Sequence, residues 1–423
     1  MISKNLWLLG VITLNFPLLG KELSLSDFIK TATDNQSMTT LDSLTAQLDQ
    51  SNFNLDYFDK IELRYKSEDM HRYRTDGDNF RTGNQQFSMK LSFKNWGEQD
   101  HIDSIASLND EHLELLKKRM ISQAIKLRYK LLLEHIYLTK SMVLEKQLSL
   151  IHKDTIKVLK NKVNDLDFQW TDLLTAEENE TQQQLKLIKL EQQRSRNDDQ
   201  INSLCNNCTI TYNDNILIKI DQINNFLNSD TLFHSKSSSI IREAKVRHHI
   251  DQELIDLEEE RSKKWLNFVR FNYQKDLQQK EDNTYHFEIG IELPIRPEDT
   301  VDLMRKKLKV ANQKIENDQI QKMIDQELRQ IPKEIAGFFQ VCQSISSQEV
   351  KKFRSQLFDN QDQATGSNPL ALLALKKRVL SSDLRFLKCY QEIVSRYIKY
   401  LYLTDRLTSD PLKNFLLQDM RPI

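Results

Sequence analysis

Between Pro17 and Pro294 the chain carries no proline, and between Gly97 and Gly290 it carries no glycine. These two residues punctuate loops and turns, so nearly two hundred residues without either read as long helix. Charged residues make up 29% of the 423 and hydrophobic residues only 39%, too polar for one compact core of this length. Thin, solvated coiled-coil helices suit such a mixture. An uninterrupted helix over 100–164 would run ~95–100 Å at about 1.5 Å per residue. Along it Leu113, Leu116, Met120, Leu127, Leu131, Leu138 and Met142 follow by threes, fours and sevens, the spacing of a helix–helix seam. Leu132, Leu144, Leu148 and Ile151 form a second stripe, as expected of a helix held between two neighbours. A shorter, more polar helix is expected from 171 to about 199. The second half is expected to repeat the pattern over about 297–359 and 370–406, with a kink or break at Pro332.

Two short segments break the helical pattern in the same way. Phe87, Met89, Leu91 and Phe93 alternate with Ser88, Lys90, Ser92 and Lys94. Tyr285, Phe287, Ile289, Ile291 and Leu293 alternate with His286, Glu288, Gly290 and Glu292. Alternation at period two marks a strand with one apolar and one polar face. Ile61, Leu63 and Tyr65, and then Val269, Phe271 and Tyr273, supply an upstream partner for each. The result is two hairpins, with strands expected over about 60–67, 86–94, 265–274 and 284–294. Phe87 and Phe287, Leu91 and Ile291, and Phe93 and Leu293 stand 200 residues apart. The helix interruptions near Asp165-Leu166-Asp167 and Thr365-Gly366-Ser367-Asn368-Pro369 share that offset of about 200. Two landmarks at one spacing indicate an internal duplication. The expected organisation is a first repeat over 21–210, a linker over 211–235, a second repeat over 236–407 and a tail over 408–423.

Lys4 precedes an apolar run from Leu6 to Gly20 that ends at Lys21-Glu22. A membrane span needs ~20 apolar residues, so 1–20 reads as a secretory signal peptide with cleavage near Gly20. No other stretch resembles a transmembrane helix. Four strands with an apolar outer face and a polar inner face fit a membrane wall. They cannot close alone, because the smallest membrane barrels have about eight strands and lipid does not tolerate open edges. Three copies would give twelve. Such a lumen would be lined by Glu62, Arg64, Lys66, Lys90, Lys94, Arg270, His286, Glu288 and Glu292. The competing reading is a periplasmic or secreted coiled-coil scaffold or adhesin without a pore, each hairpin packing its apolar face on a helix.

The formal charge of −1 gives no electrostatic reason to expect nucleic acid. Nine histidines lie without ligand spacing, and the sequence contains no phosphate loop, nucleophile elbow or acid–base constellation. Neither an enzyme, nor a cofactor, nor a metal is expected. Cys205 and Cys208 form a lone C-x-x-C unit; without a second pair, zinc is improbable, leaving a small structural disulfide or free thiols. Cys342 and Cys389 each lie about 23 residues from the turn at Thr365-Gly366, so an antiparallel hairpin sets them level, as a cross-hairpin disulfide or as two buried thiols.

Several segments, in order, resemble the outer membrane efflux protein family, the TolC-like outer membrane factors. Leu23-Ser24-Leu25-Ser26-Asp27-Phe28-Ile29, with Ala32 and Asn35, is similar to that family's opening helix. Asp172-Leu173-Leu174-Thr175-Ala176-Glu177 is similar to its segment after the first tip turn, and Gly366 with Leu372-Leu373 to its second tip. Arg261-Ser262 with Trp265-Leu266 resembles the approach to the third strand, and Ile291-Glu292-Leu293-Pro294 the close of the fourth. The resemblance spans roughly 21–407. It implies a mainly α chain with a small β part. Long antiparallel helical hairpins would form an α-barrel across the periplasm, and four strands would enter a trimeric twelve-stranded β-barrel in outer-membrane lipid. It also implies a homotrimer docking at its helical tips on a periplasmic adaptor (membrane fusion) protein and an inner-membrane transporter, in tripartite efflux or type I secretion. Asp165, Leu166, Asp167, Asp172, Gly366, Ser367 and Asn368 would then be the tip contacts, and Leu372 and Leu375 the pore constriction. Two departures stand out. The first tip lacks its usual glycine, and Leu370-Ala371-Leu372-Leu373-Ala374-Leu375 replaces the acidic pair that narrows the pore in some relatives.

Overall fold

A computed structural model describes residues 21–33, 43, 58–73, 79–166, 168–205, 208–229, 238–276, 283–291, 297–346, 369–420 and 422–423. The segment read as a signal peptide, 1–20, lies outside the described residues. The architecture is mostly helical with a small antiparallel sheet. In chain order the elements are β1 (Lys21–Ser24), α1 (Leu25–Lys30), β2 (Phe58–Tyr73), β3 (Asn79–Phe93), α2 (Glu98–Asn161) and α3 (Trp170–Cys205). There follow β4 (Cys208–Thr211), α4 (Ile220–Ser229), α5 (Ser239–Ser262), β5 (Leu266–Asp276), β6 (Asn283–Ile291), α6 (Pro297–Ser346) and α7 (Pro369–Leu403).

The 64-residue α2 is the spine of the molecule. It begins at Gly97, whose φ of 98° lies in the left-handed region that glycine occupies without strain, so the chain leaves β3 and turns at once into helix. The Glu98 carboxylate accepts the backbone N–H of Asn95 at 2.7 Å and pairs with Arg261 at 3.3 Å. Asn95 donates to the Glu260 carbonyl at 2.7 Å, tying the start of α2 to the end of α5. Charged side chains stitch these two helices together, with Arg119 Nη1 donating to both carboxylate oxygens of Glu243 at 2.8 and 2.9 Å and His101 on Glu253 at 2.7 Å.

Midway along α2 the helices meet in one apolar hub. Phe28, Ile29, Ile125, Tyr129, Leu132, Ile223, Ile393 and Leu401 are all wholly buried there, drawn from α1, α2, α4 and α7. Ser24 starts α1 with a capping box, accepting the Asp27 N–H at 3.1 Å while the Asp27 carboxylate takes the Ser24 N–H at 3.3 Å. Buried Arg128 closes the other end, donating to the Thr31 carbonyl and hydroxyl, each at 2.9 Å. The parallel pair β1–β4 lies at the rim of the hub. The C-terminal tail is packed into it: the Tyr129 hydroxyl donates to the Lys413 carbonyl and accepts the Phe415 N–H, both at 3.0 Å.

Below the hub α2 pairs with α3, and α6 with α7. Glu145, almost fully buried, takes the Gln183 amide at 2.6 Å and pairs with Lys186, a polar bolt through the first hairpin. In the second hairpin Lys399 pairs with Glu327 at 2.7 Å and Arg396 with Glu334 at 2.8 Å. Cys342 and Cys389 are buried and joined as a disulfide between α6 and α7, with Cα atoms 5.9 Å apart. Cys205, at the end of α3, and Cys208, at the start of β4, are joined as a disulfide, with Cα atoms 5.7 Å apart.

Two expectations need adjustment. Of the kink or break expected at Pro332, the break is absent: α6 runs through it as one helix. Ile331 and Ile335, 3% and 1% exposed, anchor the helix in the hub on either side of the lost hydrogen bond. The first hairpin is also much longer than alternation alone indicates. Its ladder runs from Phe58↔Phe93 to Tyr73↔Asn79, beyond the strands expected over about 60–67 and 86–94. Backbone pairing continues there without apolar alternation in the sequence to betray it.

Candidate functional site: the four-stranded sheet and the helical tips

All four long strands join in one antiparallel sheet in the order β2–β3–β5–β6. Cross-strand neighbours in such a sheet point to the same face, so the pairing register sorts every side chain. One face consists of complete apolar rungs. Ile61, Leu91, Val269 and Ile289 form the first, and Leu63, Met89, Phe271 and Phe287 the second. The third, Tyr65, Phe87, Tyr273 and Tyr285, is wholly aromatic. At the helix end of the sheet the pairs Phe58–Phe93 and Leu266–Ile291 continue the face. Trp96 and Trp265 stand just beyond, 94% and 62% exposed, where the strands meet α2 and α5. From Trp265 to Tyr273 is ~26 Å along the strand, or ~20 Å of height at a barrel-like tilt of ~40°.

No described helix packs across this face. Leu63, Phe287 and Ile289 are 64%, 66% and 52% exposed, extreme values for such residues on an ordered sheet.

The opposite face is polar, and the register brings four of the expected lumen residues into a single rung: Glu62, Lys90, Arg270 and Glu288. Arg270 pairs with Glu288 at 2.8 Å, while Glu62 is shared by Lys60 and Arg64 at 2.9 Å each. Arg64 lies in the next rung with Ser88, Asn272 and His286. Glu292 lies outside the described residues. One aromatic interrupts this face. Phe268 lies over Gly290, where a Cβ would come within 2.3 Å of its ring, and both Lys90 and Arg270 sit against it, at 4.3 and 5.1 Å from the centroid. Alternation scanning passes over Phe268 because it reads as part of the neighbouring apolar run. Gly290, in a strand otherwise rich in side chains, is the signal that could have found it.

At the far end of the molecule the turn between α2 and α3 is closed by the Asp165 N–H on the Lys162 carbonyl at 2.9 Å and the Phe168 N–H on the Asp165 carbonyl at 3.1 Å. Leu166 is fully exposed at its apex, and Asp172 stands exposed in the first turn of α3. Phe168 and Trp170 meet edge to face at 5.4 Å, an aromatic pair the sequence reading did not single out. Leu370 of α7 packs on the cluster of Leu159, Leu173 and Ala176, which brings the start of α7 to the same end as this turn. Leu372 and Leu375 are half-buried on the first turns of α7. Asp167, Gly366, Ser367 and Asn368 lie outside the described residues.

Among the described residues no helix is long and apolar enough to cross a membrane, and no cluster of potential ligands could hold a metal ion. No family model and no curated protein sequence matches this chain. Its fold, by contrast, is shared with solved structures. The outer membrane protein VceC of the bacterial pathogen Vibrio cholerae superposes with a TM-score of 0.65 at 11% identity, covering 90% of this chain and 96% of that one. The Campylobacter jejuni CmeC outer membrane channel gives 0.63 at 12% identity over 94% and 87% of the two chains. The open state of the Neisseria gonorrhoeae MtrE outer membrane channel gives 0.64 at 13% identity over 94% and 90%. The chain shares the fold of these outer membrane channels at a sequence far from theirs.

Proposed function

We propose that this chain is the outer-membrane subunit of a passive export conduit. Three copies join the free edges of β2 and β6 into a twelve-stranded barrel, while the helical hairpins continue the channel through the periplasm. The observation that carries this reading is the register of the sheet: apolar rungs left bare, bounded by an aromatic rung at one end and Trp96 and Trp265 at the other. Such a surface is unfavourable in water and fits the apolar band, ~25 Å tall with aromatic girdles, of a membrane barrel. The open edges of β2 and β6 leave backbone donors and acceptors that lipid cannot satisfy, so the barrel must close between copies. A scaffold without a pore would need a cover on the apolar face, and no described helix supplies one.

In this reading residues 1–20 are the export signal, and the 200-residue offset records a duplicated hairpin unit. Asp165, Leu166 and Asp172, with 167 and 366–368, meet a periplasmic adaptor coupled to an inner-membrane transporter, which supplies the energy. Leu372 and Leu375 narrow the pore near the second tip, where no acidic pair stands. The chain itself catalyses nothing and needs no cofactor. The test is fractionation with heat-modifiable gel migration, followed by planar-bilayer recording. A trimer in the outer membrane that conducts is expected; a soluble monomer removes the proposal.

A further inference from the structure

The chain as a whole is close to neutral, with a formal charge of −1, but its sheet is not. The three polar rungs that run from Lys60 to Arg64 hold four cations, Lys60, Arg64, Lys90 and Arg270, and two carboxylates, Glu62 and Glu288. That leaves +2 over these three rungs of each chain, and the next rung, Lys66 with Gln86, Gln274 and Thr284, adds a cation and no carboxylate.

The pairing is uneven as well. Glu62 serves Lys60 and Arg64 together, and Glu288 serves Arg270. Lys90 has no carboxylate in ion-pair reach among the described residues; its ammonium rests over the Phe268 ring at 4.3 Å. An aromatic face holds a cation in place without neutralising it, leaving its N–H donors toward the open side. Gly290 makes this arrangement possible, since any side chain there would displace the ring. The result is a fixed, uncompensated positive charge at mid-height of the wall.

We infer that the lumen of this barrel prefers anions, with Lys90, seated on Phe268, as the residue that sets the preference. The inference rests on the barrel proposed above, in which the three copies form a ring of Lys90 side chains. Rings of Lys or Arg select anions as rings of Asp or Glu select cations. Distance decides whether the field reaches the passing ion. Twelve strands ~4.8 Å apart and tilted ~40° enclose a backbone radius of ~12 Å. The Debye length is ~10 Å at 0.1 M salt and ~3 Å at 1 M. The wall therefore acts across the whole lumen in dilute salt and not in concentrated salt. The class of solute favoured is the organic or inorganic anion.

The experiment is the reversal potential of the full-length trimer in planar bilayers under a KCl gradient, for wild type and for Lys90→Glu and Lys90→Gln. Wild type is expected to pass chloride over potassium by about 2-fold or more near 0.1 M, with the preference gone near 1 M. Lys90→Gln should weaken it and Lys90→Glu invert it, each in a trimer with unchanged heat-modifiable migration. Where Lys90→Glu fails to assemble, the glutamine variant decides. A channel that prefers cations, or whose ratio ignores residue 90, overturns the inference and leaves the barrel intact. A chain that forms no membrane trimer removes the barrel, and the inference with it.

Discussion

The hub and the sheet are built from the same side chains and treat them in opposite ways. In the hub Phe28, Ile125, Ile393 and Leu401 are 0% exposed, interlocked among helices from distant parts of the chain. In the sheet Leu63, Phe287 and Ile291 lie in equally regular order and remain 64–66% exposed. One region is finished by the chain itself, while the other is left bare, and in the proposed barrel lipid and the edges of sister copies complete it. The helical hairpins fall between these cases, with apolar seams inside and a polar bolt at Glu145. The difference teaches that exposed apolar surface is informative when it is ordered: a random scatter needs no explanation, whereas complete rungs bounded by aromatics do.

That contrast can be broken most directly in the hub. Phe28→Ala removes a fully buried ring beside Arg128 and should cost about 3–5 kcal/mol, read as a fall in Tm and in trimer yield. An effect within 1 kcal/mol, on the scale of surface changes, would mean the hub is looser than it looks. Next comes the sheet, where Leu63→Arg should cost about 2–4 kcal/mol in a bilayer, measured by reversible unfolding from liposomes. Leu63→Ala in the same assay should cost far less. Equal costs for the two would place the face against protein rather than lipid.

The bolt at Glu145 sharpens the intermediate case. Lys186→Met leaves the buried carboxylate with the Gln183 amide alone, for a loss of about 1–3 kcal/mol by thermal denaturation. No change in Tm would show that water reaches Glu145. The smallest effect is expected from His152, also on α2 below the hub. Burial holds its imidazole below the ordinary histidine pKa, and Lys377 adds to the shift. The unfolded chain therefore takes up this proton first as pH falls. Stability from neutral His152 is complete above ~6.5 and is lost as pH drops through the lower, folded value. His152→Gln should flatten the Tm profile between about pH 7 and 5; parallel profiles for variant and wild type would exclude the histidine as a contributor.

Much of the fold was legible because helices and strands announce themselves by period. The long gap without glycine or proline located α2 and α3, and the alternation around Phe87 and Phe287 located two of the strands. Alternation also sorted Glu62, Lys90, Arg270 and Glu288 onto the polar side of their strands. That they share one rung was not legible, since register between strands 180 residues apart in sequence leaves no local pattern. The extension of the first hairpin to Tyr73 and Asn79 was missed for a related reason. The sequence there has no apolar alternation, and ladder hydrogen bonds do not depend on side-chain type. At Pro332 the helix runs on without a break, because buried neighbours outweigh a local helix breaker.

The sequence by itself determined the periodicities: which stretches are helical, which are strands, and which face of each is apolar. It did so because those properties depend on neighbours a few residues away along the chain. Only the tertiary structure decided that all four strands form one sheet, that Arg128 closes α1, and that Lys90 rests on Phe268 over Gly290. These depend on pairings across one to two hundred residues, selected by the packing of the hub and the ladder of the sheet rather than by any local signal.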